Sequence, residues 1–427
     1  MTNTWHQLRT EAAELDARDS LRPFREEFLF PPAADGDGQP VVYLAGNSLG
    51  LQPRKARRYV EEELEDWAKL GVDGHREARH PWLPYHELLT EQVARLVGAK
   101  AEEVVVMNTL TVNLHLMMVS FYRPTPERFK ILIEAGAFPS DQYAVASQIK
   151  LHGLRPEDAL VQVAPRAGES AVRDEDVLEA IERNGASLAL VMLGSVNYLT
   201  GQAFDLAGVT AAGHRVGAKV GFDLAHGAGN LQLELHDSGP DFAVWCSYKY
   251  LNGGPGSLAG CFVHERHARS FQLPRFSGWW GHDKTTRFQM PPDFRALPGA
   301  EGWQLSNPPI LQLAALRASL ELFDRATMAA LRKKSERLTG HLETLLERLP
   351  NGFCRILTPR EPARRGAQLS LRLRSDGRDL LRKLRQGGVV CDFREPDVMR
   401  VAPAPLYCGF QDVTTFARIL DGHARAS

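Results

Sequence analysis

Residues 242–263 read FAVWCSYKYLNGGPGSLAGCFV. Phe242–Cys246 and Leu258–Val263 are apolar runs of strand length, and little more than a glycine-rich turn separates them. Two strands joined so briefly cannot both be parallel members of one sheet, because a parallel connection needs a dozen residues or more. One of the two is therefore expected to run antiparallel. The same stretch sets Lys249 between two tyrosines, with apolar residues before it and glycines after it. Such surroundings suit an amine that has to lose its proton to react, since desolvation disfavours the ammonium form.

Outward from this point the chain alternates short apolar runs with helical patterns. Strands are expected at Val104–Met107, Lys130–Glu134, Leu160–Ala164, Leu188–Leu193 and Lys219–Asp223, besides the two already named. Helices are expected at Asn113–Phe121, Ser140–Leu151, Asp174–Arg183 and Leu206–Val216. Strands buried on both faces read as continuous apolar runs, so the pattern predicts an α/β domain with a mostly parallel, mixed sheet covered by helices. From about Pro308 long helical patterns run to Arg348. Strand-like pieces at Cys354–Leu357, Gln368–Leu373 and Val398–Val401 follow. The expected division is a large domain over 41–310 and a small α+β domain over 311–427 joined by 1–40, with a cleft between them. Within 1–40, Thr10–Leu29 reads as helix and Pro31–Pro40 as loop. Val41–Leu44 reads as a short strand ending in the turn Gly46–Gly50. Gly253–Gly256 lacks the strand and helix flanks of a dinucleotide loop and reads as a turn, while Arg364 and Arg365 read as solvated surface.

Composition excludes several classes. A net charge of −1 over 427 residues gives no basic field for nucleic acid or an anionic membrane. No apolar run approaches a membrane span, and Met1–Arg9 is polar, so a cytoplasmic protein without a secretory leader is expected. The five cysteines are scattered without a C-x-x-C pair, which fits reduced thiols.

Asp223 ends the run Lys219–Asp223, placing a carboxylate at the carboxyl edge of a sheet, where open α/β proteins bind ligands. Lys249 lies just beyond the strand Phe242–Cys246. If those strands are neighbours, the two side chains meet at one edge. A carboxylate and an amine held apart suit a pyridine aldehyde, the lysine forming a Schiff base and the aspartate keeping the ring nitrogen protonated. The plain alternative is an ordinary ion pair. In Met107–Asn113 a strand gives way to a helix through a turn bearing Thr109 and Thr111, either an anion site or a simple helix cap. In Ala137–Asp141, Phe138 can stack on a flat ring, and Ser140 or Asp141 can cap the next helix while facing a ligand. His75, His80 and His86 match no metal spacing, so no metal is expected there.

With these residues in view the chain resembles the kynureninase family of pyridoxal 5'-phosphate enzymes, of fold type I in the aspartate-aminotransferase superfamily. The matching segments, in order, are GNSLG (46–50), TLTVNLH (109–115), AFPSD (137–141), GFDLAH (221–226), CSYKYLN (246–252), GWWGH (278–282), LSNPPI (305–310) and RVAPAPLY (400–407). The resemblance implies hydrolysis of L-kynurenine, or its 3-hydroxy derivative, to anthranilate (or 3-hydroxyanthranilate) and L-alanine in tryptophan degradation. It also implies a homodimer with shared active sites. By position, Lys249 would carry the cofactor and Asp223 would bond its ring nitrogen. Phe138 would stack on the ring, with Pro139, Ser140, Asp141 and His226 beside it. Leu110, Thr111, Tyr248, Trp279 and Asn307 would complete the cofactor site, the last two reaching in from the partner subunit. Arg400 would clamp the substrate carboxylate, and His75 and Asn307 would recognise its aromatic end. Tyr248 is the candidate acid for the β-carbon. Where many relatives carry a serine before VNYLTGQ, this chain has Gly194-Ser195. The rival readings are another fold-type-I enzyme, a cysteine desulfurase or aminotransferase, and a non-catalytic binding protein on the same fold. A desulfurase needs a reactive cysteine on an exposed loop, which Cys246 and Cys261 do not supply and Cys391 or Cys408 could.

Overall fold

The computed structural model describes residues 2–33, 40–374 and 377–426. The apolar runs become a seven-stranded sheet: β1 (Val104–Met107), β2 (Lys130–Glu134), β3 (Leu160–Val163), β4 (Leu188–Gly194), β5 (Lys219–Asp223), β6 (Phe242–Cys246) and β7 (Ala259–Val263). Their spatial order is β1-β7-β6-β5-β4-β2-β3. Strand β7 runs antiparallel to both β6 and β1, and every other pairing is parallel. The short link between β6 and β7 thus produces the reversal expected of it.

Burial explains why these runs are strands. All five residues of β6, all five of β7 and six of the seven of β4 are buried, as a sheet covered on both faces requires. Helices Leu110–Phe121, Pro139–Leu151, Asp174–Asn184 and Leu206–Arg215 fall where the 3.6-residue pattern placed them, within a few residues at their ends. Gly221 of β5 lies opposite Phe242 of β6, and a Cβ on Gly221 would fall inside the phenyl ring. Close strand pairing around the site therefore needs a bare backbone there.

A second sheet holds β8 (Cys354–Ile356), β9 (Leu369–Leu373), β10 (Asp392–Arg394) and β11 (Val398–Val401), all antiparallel, in the order β8-β9-β11-β10. Strand β10 had no signal of its own, because it is three residues long, charged at both ends and only partly buried throughout. The helical pattern to Arg348 resolves into Ile310–Ala326 and Met328–Leu346. They break at Thr327, whose φ of 63° leaves the helical region and whose hydroxyl accepts the Ala330 N–H.

Three expectations are corrected. Thr10–Leu29 is not one helix: an α-helix covers Thr2–Ala17, a 3-10 turn Arg22–Glu27 and a strand pair begins at Phe28. Pro23 and the Asp19 carboxylate, which accepts the Leu21 N–H at 3.0 Å, favour a turn over continuation. Arg365 is not surface: it is buried and bonds Glu343 at 2.9 Å. Val41–Leu44 shortens to Val42–Tyr43, paired in parallel with Val389–Val390. Of the Pro31–Pro40 loop, residues 34–39 lie outside the described residues.

The helix Thr2–Ala17 lies against Phe410–Ala426, where Asp16 accepts the Phe410 and Gln411 N–H groups at 2.7 and 3.1 Å. Among the described residues no helix is long and apolar enough to cross a membrane. Overfilling the β5–β6 contact tests the packing account. Gly221→Ala is expected to cost about 1–3 kcal/mol of stability, read as a lower denaturation midpoint in urea with an unchanged slope.

Candidate active site

The carboxyl ends of three parallel strands and the segment after a fourth open on one cavity. Glu134 ends β2, Gly194 ends β4 and Asp223 ends β5, while Tyr248 and Lys249 follow β6. Leu110 and Thr111 come from the first turn of one helix and Ser140 and Asp141 from that of another; Phe138, Val196, Tyr198, Ala225 and His226 complete the wall.

Backbone geometry holds Lys249 at the edge. The Gly253 N–H returns to the Ser247 carbonyl at 2.8 Å and the Asn252 N–H to that of Lys249 at 3.0 Å, closing a tight turn in which Asn252 has φ 51°. Gly50 packs on this turn, its N–H bonding the Tyr248 carbonyl at 2.8 Å. A Cβ at position 50 would collide with the Lys249 carbonyl. That close approach is what the GNSLG segment provides.

Asp223 and Lys249 form no ion pair. The Asp223 carboxylate accepts the Ala225 N–H at 2.6 Å, and the Lys249 ammonium lies 5.6 Å from the Phe138 ring centroid and 5.8 Å from that of Tyr248. Thr109 does not cap its helix with its side chain. Instead the Thr111 and Ser140 hydroxyls meet at 2.8 Å, joining the N-terminal turns of two helices. Free amide groups and two hydroxyls converging there form an anion cradle.

Burial dominates the electrostatics. It pushes Glu134 up to about 7, with Asp223 adding to the rise and backbone hydrogen bonds opposing it. Asp141 is raised well above the carboxylate range by burial and then by Asp223 and Glu134. Asp223 is raised by burial, against the pull of Lys249. His226 is driven well below its ordinary value by burial and by the Lys249, Arg400 and Arg394 charges, so its ring is neutral. Tyr248 is raised by burial and by Cys246 beside it, so the phenol keeps its proton.

Of the residues singled out in the sequence, Leu110, Thr111, Phe138, Ser140, Asp141, Asp223, His226, Tyr248 and Lys249 line the cavity, and Pro139 starts the helix between them. Arg400 stands one layer behind: it is buried, donates to the Tyr198 carbonyl at 2.9 Å and pairs with Asp392. Within one chain Trp279, Asn307 and His75 lie outside the cavity. Trp279 donates to the Arg287 carbonyl at 3.2 Å, Asn307 is exposed, and His75 bonds the Val72 carbonyl at 3.0 Å. His75, His80 and His86 diverge, His86 meeting Glu301 at 2.9 Å and His80 the Tyr85 ring edge. Glu134, Val196, Tyr198 and Ala225 were not singled out: Glu134 is the end of an apolar strand with no motif, while Val196 and Tyr198 lie in VNYLTGQ and Ala225 in GFDLAH, where no chemistry of their own marked them.

Pyridoxal phosphate fits this donor set. Asp141 Oδ1 and His226 Nδ1 are buried without a partner, as polar atoms awaiting a ligand are. Phe138 offers an exposed aromatic face, and the hydroxyl pair supplies the anion site.

The buried acids give the cofactor-free chain a defined pH response. A carboxyl whose native pKa is about 7 against an ordinary 4.5 binds its proton more tightly when folded. Its contribution to stability is full below about 4.5 and is lost as pH rises through 7, and Asp141 and Asp223 act in the same sense. Thermal stability is expected to fall from pH 5 to pH 7, and Glu134→Gln to flatten part of that slope.

Comparison with known proteins agrees with the geometry. A family model described as the kynureninase C-terminal domain matches residues 331–420. A kynureninase from Myxococcus xanthus (strain DK1622) is 71% identical over 97% of this chain and 97% of its own length. One from Koribacter versatilis (strain Ellin345) is 61% identical, covering 95% and 96%. Among solved structures, a cysteine desulfurase from Escherichia coli superposes with a TM-score of 0.76 at 18% identity, over 95% of this chain and 99% of that one. A C-DES mutant with glycine covalently linked to its PLP cofactor gives 0.75 at 17% identity, over 89% and 96%. The structures establish the shared fold; the relatives, at far higher identity over nearly the whole length, establish more. This chain belongs to the kynureninase family.

Proposed function

We propose that this protein uses pyridoxal 5'-phosphate on Lys249 to hydrolyse the Cβ–Cγ bond of L-kynurenine or 3-hydroxy-L-kynurenine, releasing L-alanine and anthranilate or 3-hydroxyanthranilate. The observation that carries it is the meeting of Lys249, Asp223 and the Thr111–Ser140 hydroxyl pair on one cavity, in a chain 71% identical to a kynureninase.

When bound, the cofactor supplies an electron sink for the carbon next to the substrate nitrogen. The residues do the rest. Asp223, fixed by the Ala225 N–H, would hold the ring nitrogen as a charged acceptor. Phe138 would cover the ring, and Thr111, Ser140 and the helix N-termini would hold the phosphate. Lys249, on its tight turn, takes the proton from the substrate α-carbon as general base. The Tyr248 phenol keeps its proton at neutral pH and so is available to protonate the β-carbon once the Cβ–Cγ bond breaks. Arg400 receives the substrate carboxylate, exchanging contacts with the neighbouring Asp392 carboxylate. Neutral His226 adds no positive charge beside the lysine.

The desulfurase reading loses its chemistry. Cys246, Cys261, Cys391 and Cys408 are buried, and burial pushes the partly buried Cys354 up to about 11 and Cys391 up to about 12. None of the five is the exposed, easily ionised thiol that sulfur transfer needs.

A homodimer completes the site in this reading. An apolar groove bordered by Leu29, Leu51, Val60, Leu64 and Ala315 adjoins the Gly253–Pro255 turn. Trp67, Val72, Trp279 and Leu311 are further exposed apolar side chains. A second copy would cover them, and Trp279, Asn307 and His75 would reach the partner's cavity.

Incubation with L-kynurenine is expected to yield equimolar alanine and anthranilate, whereas kynurenic acid would indicate transamination. Lys249→Ala is expected to abolish the lysine-linked visible absorbance and to lower turnover by at least about a hundredfold. Mixing Lys249→Ala and Asn307→Ala chains, each inactive alone, is expected to restore activity through hybrid dimers carrying one intact site. No recovery in a mixture shown to exchange subunits would count against shared sites.

A further inference from the structure

Glu134 ends β2 in the wall of the cavity and has no part in the scheme above. Its Oε2 accepts the Gly194 N–H at 3.2 Å, and a Cβ built on Gly194 would stand 3.0 Å from its Oε1. The carboxyl thus occupies the space that a side chain at position 194 would enter. Ser195 does not make good the missing group: its hydroxyl is buried without a partner, faces Gly227 and is absent from the cavity wall. Val196, next in the wall, is apolar. Residues 194–196 therefore bring no polar side chain to the cavity from β4, and Glu134 and Asp223 flank its end from the strands on either side.

We propose that Glu134 is a cofactor-binding residue of this chain, its carboxyl supplying at the end of β4 the polar contact that Gly194 has no side chain to make. The inference rests on the reading of this cavity as the pyridoxal phosphate site. A carboxyl buried in the wall of a ligand cavity is costly unless partners satisfy it, and the backbone N–H groups of Gly194 and of Glu134 itself do not offset that burial. Its contact belongs to the ring edge rather than the phosphate, because an acid beside a phosphate dianion is repelled while the hydroxyl pair already serves that group. The charged and titratable groups facing it agree: they are Asp223 and Asp141, with Lys249 and His226 across the same cavity. With burial holding its pKa near 7, the group can either donate or accept a hydrogen bond at neutral pH.

The test follows loss of the visible absorbance from full-length holoenzyme on serial dilution, which reports cofactor affinity without turnover. Glu134→Ala is expected to weaken binding by about tenfold, and Glu134→Asp, drawn back by one methylene, by a smaller factor in the same direction. Glu134→Gln, which keeps the shape and can still donate, is expected to stay within about threefold of the parent. In the Glu134→Ala background, Gly194→Ser is expected to recover most of the loss, since the hydroxyl enters the vacated space. Glu134→Ala and Glu134→Asp chains that retain native circular dichroism and hold cofactor as tightly as the parent would overturn the inference, as would additive losses in the double variant. If Glu134→Ala does not fold, Glu134→Asp decides alone. A parent chain with no visible absorbance, or a Lys249→Ala chain that keeps it, would overturn the cofactor reading itself; unchanged Glu134 variants beside a normal parent would overturn only this inference.

Discussion

Asp223 at the end of β5 and Lys249 just past the end of β6 face one space because the two strands run in the same direction. Parallel pairing brings successive carboxyl ends to a common edge, with Asp223 in register with Val244 of β6. Strands β2 and β4 extend that edge to Glu134 and Gly194. An antiparallel partner at any of these places would send its functional end to the opposite rim. The one reversal, at β7, comes immediately after the lysine turn and seals the sheet behind it by pairing with both β6 and β1.

That common edge concentrates charge that water would otherwise disperse. Glu134, Asp141 and Asp223 are all buried around the cavity, and burial raises each of them. Three neighbouring carboxylates cannot all stay ionised in such surroundings, so protons are retained on some of them near neutral pH. For Asp223 the Lys249 charge favours ionisation and burial opposes it, burial being the larger influence.

The same scaffold serves other chemistry, as the likeness to cysteine desulfurases at 18% identity demonstrates. What separates the reactions is local. Here four of the five thiols are buried and Cys354 is partly buried, whereas the Tyr248 phenol lines the cavity with the lysine and Arg400 stands behind its wall. Arg400 belongs to β11, and its contact with the Tyr198 carbonyl is where the smaller sheet touches the cavity wall. The wall at Tyr198 therefore depends on how the two sheets are held together, not on the strand ends of the larger sheet alone.

Strand periods, the brief link between Phe242–Cys246 and Leu258–Val263, and the residues Asp223, Lys249, Phe138 and Asp141 were all legible in the amino-acid order. Each is a local matter: apolar runs set strand length, a short link forbids a parallel neighbour, and a polar residue ending an apolar run must sit at a sheet edge. Which edges adjoin is not local. Glu134 looked like an unremarkable strand end until Gly194, distant in sequence, was brought against it by the pairing of β2 with β4. Arg365 looked solvated until Glu343 of a separate helix enclosed it, and Thr111 looked like a helix cap until Ser140 met it from another helix. Amino-acid order set most of the elements and the chemistry each could carry, though not β10 or the break after Ala17. The tertiary structure decided which of those side chains share a cavity, because only packing sets distances between segments far apart along the chain.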